Sequence, residues 1–165
     1  MNHLWKNIAD CLRTEIAEFG GLLQLFEEQQ RSLFARNADA VLRLSAEIER
    51  QAARLHDCRR QREAAATAFA AAHGHPAGAT LRAMLPSVDA AARPLLEALI
   101  TEINHLIYRT RRATRHNHAL LASTVRTHQE LLQQLRPDAF NQTYAANGRM
   151  SLTGPRTQAA LQVAG

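Results

Sequence analysis

Apolar residues recur along this chain at alternating steps of three and four, the spacing of one face of an α-helix. The first run is Leu4, Ile8, Leu12, Ile16, Phe19, Leu23, Phe26 and Leu33, which predicts a helix over residues 2–34. Gly20-Gly21 interrupts it at a cost of about 1 kcal/mol per glycine relative to alanine. That pair predicts a mild bend or a close backbone approach, the bend being the plainer outcome. Residues 35–40 form the first turn, with Asn37 or Asp39 as N-cap of a second helix over 38–73. Val41, Leu44, Ile48, Leu55, Cys58, Ala65, Phe69 and Ala72 keep the same rhythm there. Gly74 suits the left-handed position that ends a helix, and Pro76 cannot continue one.

Residues 80–85 predict a short helical turn before Pro86. A third long helix follows over 87–135, starting somewhere between Ser87 and Pro94. Ser87 is a good N-cap, but a start there puts Pro94 in the second turn, where it would bend the helix. The stripe is Leu96, Leu99, Ile103, Leu106, Thr110, Ala113, Asn117, Leu120, Thr124, Leu131 and Leu135, and Arg136-Pro137 stops it. At 1.5 Å per residue the first two helices are each roughly 50 Å long and the third roughly 60–70 Å. Short turns make consecutive helices antiparallel neighbours. The expected fold is therefore all-α: three long antiparallel helices with an irregular C-terminal tail. They form either an up-down-up bundle or a hairpin with an overhanging third helix. Residues 1–136 make the helical domain and 137–165 a flexible, partner-binding tail. In that tail Phe140, Tyr144, Met150 and Leu152 are spaced apolar anchors, and a helical turn over 157–163 is a weaker alternative.

The overlong third helix carries the first functional signal. Leu120, Leu121, Val125, Leu131, Leu132 and Leu135 make a stripe wider than two helical neighbours require. Such leucines on a long helix mark a groove or coiled-coil surface for a partner. The alternatives are simple core, or a helical adaptor or structural protein that homodimerises through this helix. Asn117 is the one polar oddity on the stripe, a residue type that fixes helix register when buried.

Composition supports the helices without adding chemistry. Apolar residues make up 46% of the chain and aromatics only 5%, and much of the apolar share is alanine, the best helix former. The formal net charge of +5 is carried by arginine, Lys6 being the one lysine. Those arginines alternate with glutamates along the helices, whereas a nucleic-acid binder gathers them into a stripe. Arg109, Arg112 and His116 share one face while Arg111 and Arg115 share another, which reads as solvation, and no nucleic-acid partner is expected. No glycine-rich phosphate loop, serine-nucleophile motif or paired carboxylate set is present, so no catalytic residue and no cofactor is assigned. The eight histidines lack the spacing of a three- or four-ligand set, so no metal is assigned. Cys11 and Cys58 fall within about one turn of each other in an antiparallel hairpin. Helix axes nevertheless sit about 8–10 Å apart, and a disulfide needs Cα atoms within about 7 Å. Both are expected to be free, buried and inert. Asp10 breaks any secretory signal, and the uncharged run 64–81 is mostly alanine interrupted by Gly74, Pro76 and Gly78. No membrane insertion is expected, and the cytoplasm is the expected compartment.

Three segments near the C-terminus carry a resemblance. They are His116-Asn117-His118-Ala119-Leu120-Leu121, then Gln129 to Pro137, QELLQQLRP, then Thr143-Tyr144-Ala145-Ala146-Asn147-Gly148-Arg149. An asparagine followed by paired leucines, a Gln/Leu-rich helix end and a Tyr-x-x-x-Gly tail together resemble the FlgN family of cytosolic flagellar export chaperones. The resemblance implies binding of hook-associated (hook–filament junction) proteins and their delivery to the flagellar type III secretion apparatus. It implies that the end of the third helix, from Leu120 to Leu135, contacts the cargo. Tyr144 matches a tyrosine associated with docking on the cytoplasmic domain of the export gate. Many secretion chaperones are acidic, and this chain departs from them in being basic.

Overall fold

The computed structural model describes residues 3–135 together with the backbone of two short segments, 141–144 and 150–153. Residues 3–135 are all-α, built on four α-helices. They are α1 (Leu4–Phe34), α2 (Ala38–Ala72), the single turn α3 (Leu81–Met84) and α4 (Arg93–Leu135). Each end of the first turn has a local cause. Asn37 accepts a hydrogen bond from the Ala40 amide at 3.0 Å, capping α2 as its side chain permits. Arg36, at φ +53°, takes the left-handed conformation that reverses the chain. At the far end of α2, Gly74 adopts φ +70°, and the amide of His75 bonds back to the Ala70 carbonyl at 2.9 Å. That closes the helix as glycine past a C-cap usually does.

The start of α4 falls at the far end of the expected interval. The helix begins at Arg93 and not at Ser87, because Leu85–Ser87 coils into a 3₁₀ turn and Val88 is extended. A proline ring clashes with the carbonyl four residues back, so a helix running through 87–93 would be broken at Pro94. Starting at Arg93 puts Pro94 in the first turn, where its missing N–H costs nothing. Arg93 then secures the junction by donating to the carbonyls of Val88 at 2.9 Å and Pro86 at 2.7 Å.

Cross-helix hydrogen bonds define the packing. Gln29 bonds Ser45, Gln51 bonds Glu18 and Arg62 bonds Glu15, so α2 numbers rise as α1 numbers fall. These two helices therefore run antiparallel from the turn at 35–37. The main core gathers Ile8, Ala9 and Leu12 of α1, Ala65, Phe69 and Ala70 of α2, and Leu96, Ile100 and Ile103 of α4. Met84, Val88 and Ala92 close it from the connecting segment. A smaller cluster of Leu22, Phe26 and Leu55 lies further along the hairpin. At Gly21 the close approach is realised: a Cβ there would sit 3.2 Å from Gln51 Nε2. That amide reaches past the glycine to the Glu18 carbonyl at 2.9 Å.

Two compact units divide the chain, residues 1–120 and 121–165. In the second, Asn141–Tyr144 pairs antiparallel with Met150–Thr153, with Tyr144 opposite Met150. The tail expected to be irregular thus holds a short ladder over these residues, its strands separated by a segment containing Gly148. Phe140 and the weak helical turn expected over 157–163 lie outside the described residues.

Candidate partner-binding surface

Asn117 sits at a polar junction of three helices. At 5% exposure, its Nδ2 donates to the Phe26 carbonyl at 2.8 Å and to Gln29 Oε1 at 3.1 Å. Gln29 Nε2 passes the chain on to Ser45 Oγ at 3.0 Å, and Ser45 donates to the Val41 carbonyl at 2.9 Å. A relay of amides and a hydroxyl thus joins α4 to α1 and α1 to α2. Asn117 Nδ2, both polar atoms of the Gln29 amide and the Ser45 hydroxyl each have a partner in it, and paired groups are what such a network needs to stabilise. Asn117→Leu leaves Gln29 Oε1 without its donor. Urea denaturation is expected to show a loss of about 1–3 kcal/mol, the cost of one stranded buried acceptor. A loss under 0.5 kcal/mol would mean that the relay is replaceable by packing.

Burial on α4 changes at this residue. Leu96, Ile100, Ile103, Leu106 and Asn117 are buried, and none of residues 121–135 is. Leu120 is half-buried, whereas Leu121, Val125, Leu131, Leu132 and Leu135 are exposed, Leu135 at 77%. The residues assigned to recognition therefore separate into two kinds. Asn117 faces inward and is engaged, and the leucines beyond it show apolar surface. Tyr144 ends the strand Asn141–Tyr144, at the register position opposite Met150.

Two features of the helical unit escaped the sequence pattern. Gln29 occupies a core-facing position three residues after Phe26 and four before Leu33, the same signal that marked Asn117. Glu15 is 2% exposed, and its Oε2 receives Arg62 Nε at 2.6 Å. Phe34 and Leu42, at 68% and 70% exposure, add apolar surface beside the first turn. Catalytic chemistry finds little support in the thiols. Cys11 and Cys58 are free and half-buried. Burial first, and then neighbouring carboxylates (Asp10 for Cys11, Glu18 for Cys58), raises both thiols above their ordinary value. Protonated thiols are poor nucleophiles. Among the described residues no helix is long and apolar enough to cross a membrane, and no group of three or more His, Cys, Asp or Glu side chains gathers as metal ligands.

Comparison with known families matches the chain to the model described as FlgN protein, over residues 1–151. No curated protein and no solved structure matches the chain.

Proposed function

The chain belongs to the FlgN family of flagellar export chaperones, and we propose that it holds hook–filament junction proteins in the cytoplasm and delivers them to the type III export gate. It is not an enzyme. The observation that carries this reading is the run of exposed leucines on the end of α4. Hook-associated cargo of this kind has amphipathic terminal helices that aggregate when free. Leu120, Leu121, Val125, Leu131, Leu132 and Leu135 are the surface against which such a helix lies, each contributing, in proportion to the surface it still exposes, a share of the about 1.5–3 kcal/mol of a fully covered side chain. Part of that sum is offset by lost rigid-body freedom on association. Asn117 serves the same surface indirectly, by setting the register in which α4 is held.

The tail beyond residue 136 supplies the address. Tyr144, with Phe140 nearby in sequence, is the contact for the cytoplasmic domain of the gate. Separate surfaces let the chaperone hold cargo and dock at once. Tyr144→Ala is expected to keep cargo in pull-down assays while losing retention on the immobilised gate domain. Loss of both together would show that the tail belongs to the cargo site.

Co-expression of the chain with each junction protein of its own genome, followed by size-exclusion chromatography, tests the whole reading. A stable complex with at least one of them is expected. Failure to co-elute with any, together with light scattering that reports a tight dimer of the pure chain, would favour the homodimeric adaptor instead.

A further inference from the structure

Residues 1–120 carry a further surface feature, lined by none of the exposed leucines. Between α1 and α4 runs an open groove of about 350 Å³. Leu23 and Phe26 from α1 and Ala113 from α4 are its apolar part, and Gln30, His116 and Asn117 line it beside them. Its two lips differ in sign. Glu27 stands on the α1 side, while Arg109 and Arg112 stand on the α4 side. On each helix these residues fall at i, i+3 and i+4 (Leu23, Phe26 and Glu27; Arg109, Arg112 and Ala113), so the groove follows the helix axes. Among the described residues neither arginine has a carboxylate within ion-pair distance. The wider sequence withholds one as well. From residue 103 to 129 there is no aspartate or glutamate, against five arginines.

We propose that this groove binds an acidic amphipathic helix of a partner protein. The partner's apolar side chains seat on Leu23, Phe26 and Ala113, and its carboxylates seat on Arg109 and Arg112. Two arginines one turn apart match carboxylates at the same helical spacing, and guanidinium–carboxylate pairs are the strongest of the side-chain hydrogen bonds. Glu27 on the opposite lip repels the same carboxylates, so the groove admits the acidic edge of the helix on the α4 side only. Apolar side chains set between the lips favour a peptide over a phosphate backbone or a lipid surface, neither of which offers side chains to cover them. This surface goes beyond the cargo reading and does not depend on it.

The test uses the full chain and a fluorescein-labelled, end-capped model peptide about 20 residues long, enough to populate a helix. One version carries leucine along one face with glutamate beside it, and its twin carries glutamine in place of every glutamate. Anisotropy titration is expected to show the glutamate peptide binding roughly tenfold tighter than its twin, with the preference fading as salt rises from about 0.05 to about 0.5 M. Arg109→Gln with Arg112→Gln is expected to erase the preference at an unchanged melting temperature. Arg111→Gln with Arg115→Gln removes the same charge elsewhere on the helix and is expected to keep it. Leu131→Asp with Leu132→Asp is also expected to keep it, which separates this groove from the cargo surface. Equal binding of the two peptides, or none, overturns the proposal. So does loss of preference in the Arg111/Arg115 pair to the same extent, or retention of a DNA duplex or anionic vesicles without the peptide.

Discussion

Arg62→Met is expected to lower the unfolding free energy by about 3–5 kcal/mol, the penalty for leaving a buried charge without its partner. Glu15 is the stranded group. Its side chain is 3% exposed and receives the Arg62 guanidinium at 2.6 Å, while Arg62 itself keeps 19% of its side chain in contact with solvent. The asymmetry sets the direction of the experiment. Removing the arginine isolates a carboxylate that cannot reach water. Removing the glutamate frees an arginine that can, since long basic side chains extend their charged ends to the surface. Glu15→Leu alone is therefore expected to cost less than Arg62→Met alone. The double variant is expected to recover most of the loss, because well-packed apolar replacements for a buried pair are often neutral or better. Urea denaturation followed by circular dichroism reads all three. A cost for Arg62→Met below 1 kcal/mol would show that water reaches Glu15 when the arginine is gone.

The second large effect concerns binding and leaves the fold alone. Leu131→Asp with Leu132→Asp is expected to abolish co-elution with the junction protein, while the melting temperature moves by no more than about 2 °C. Both leucines are about half exposed, so the free protein has little packing to lose there, and surface substitutions usually stay within about 0.5 kcal/mol. In a complex they would lie under the partner, and two carboxylates placed there would have to be desolvated without partners. One confounding effect is local. Acidic residues near the end of a helix oppose its dipole by about 0.3–1 kcal/mol and could fray the last turn. Leu131→Lys with Leu132→Lys suits the dipole, so it must produce the same loss if covering of apolar surface is the cause. Binding retained by both pairs would move the cargo surface elsewhere.

Sequence and structure agree where one face of a helix repeats and diverge where a single residue decides. The stripe from Leu4 to Leu33 and that from Val41 to Phe69 were readable, because one buried side per helix imposes its period on the sequence. So was the contrast along α4, where leucines continue past the point at which neighbours cover them. The start of α4 was not, since capping chemistry at Ser87 competes with the steric demand of Pro94 and only the packed chain arbitrates. Glu15 was hidden for another reason. A charged residue within an apolar face looks like a surface position until its partner on another helix is known, and Arg62 lies 47 residues away. The paired strands were hidden too, because the segments NQTY and MSLT are too short to show a two-residue alternation. Asn117 was singled out by its place on the stripe, but its partners Phe26 and Gln29 were not.

The relay through Asn117 also bears on the order in which the chain assembles. Gln29 and Ser45 are 16 residues apart, whereas Asn117 and Phe26 are 91 apart. By the logarithmic growth of loop-closure entropy, bringing the second pair together costs about 1.5 kcal/mol more than the first. The hairpin of α1 and α2 is thus expected to zip before α4 settles on it, and α4 to be the first long helix to lift away. On a ribosome the delay is longer still, because Asn117 must emerge before its bond to Phe26 can form. Of the three long helices, α4 is accordingly the last to be committed, at birth and in each later opening.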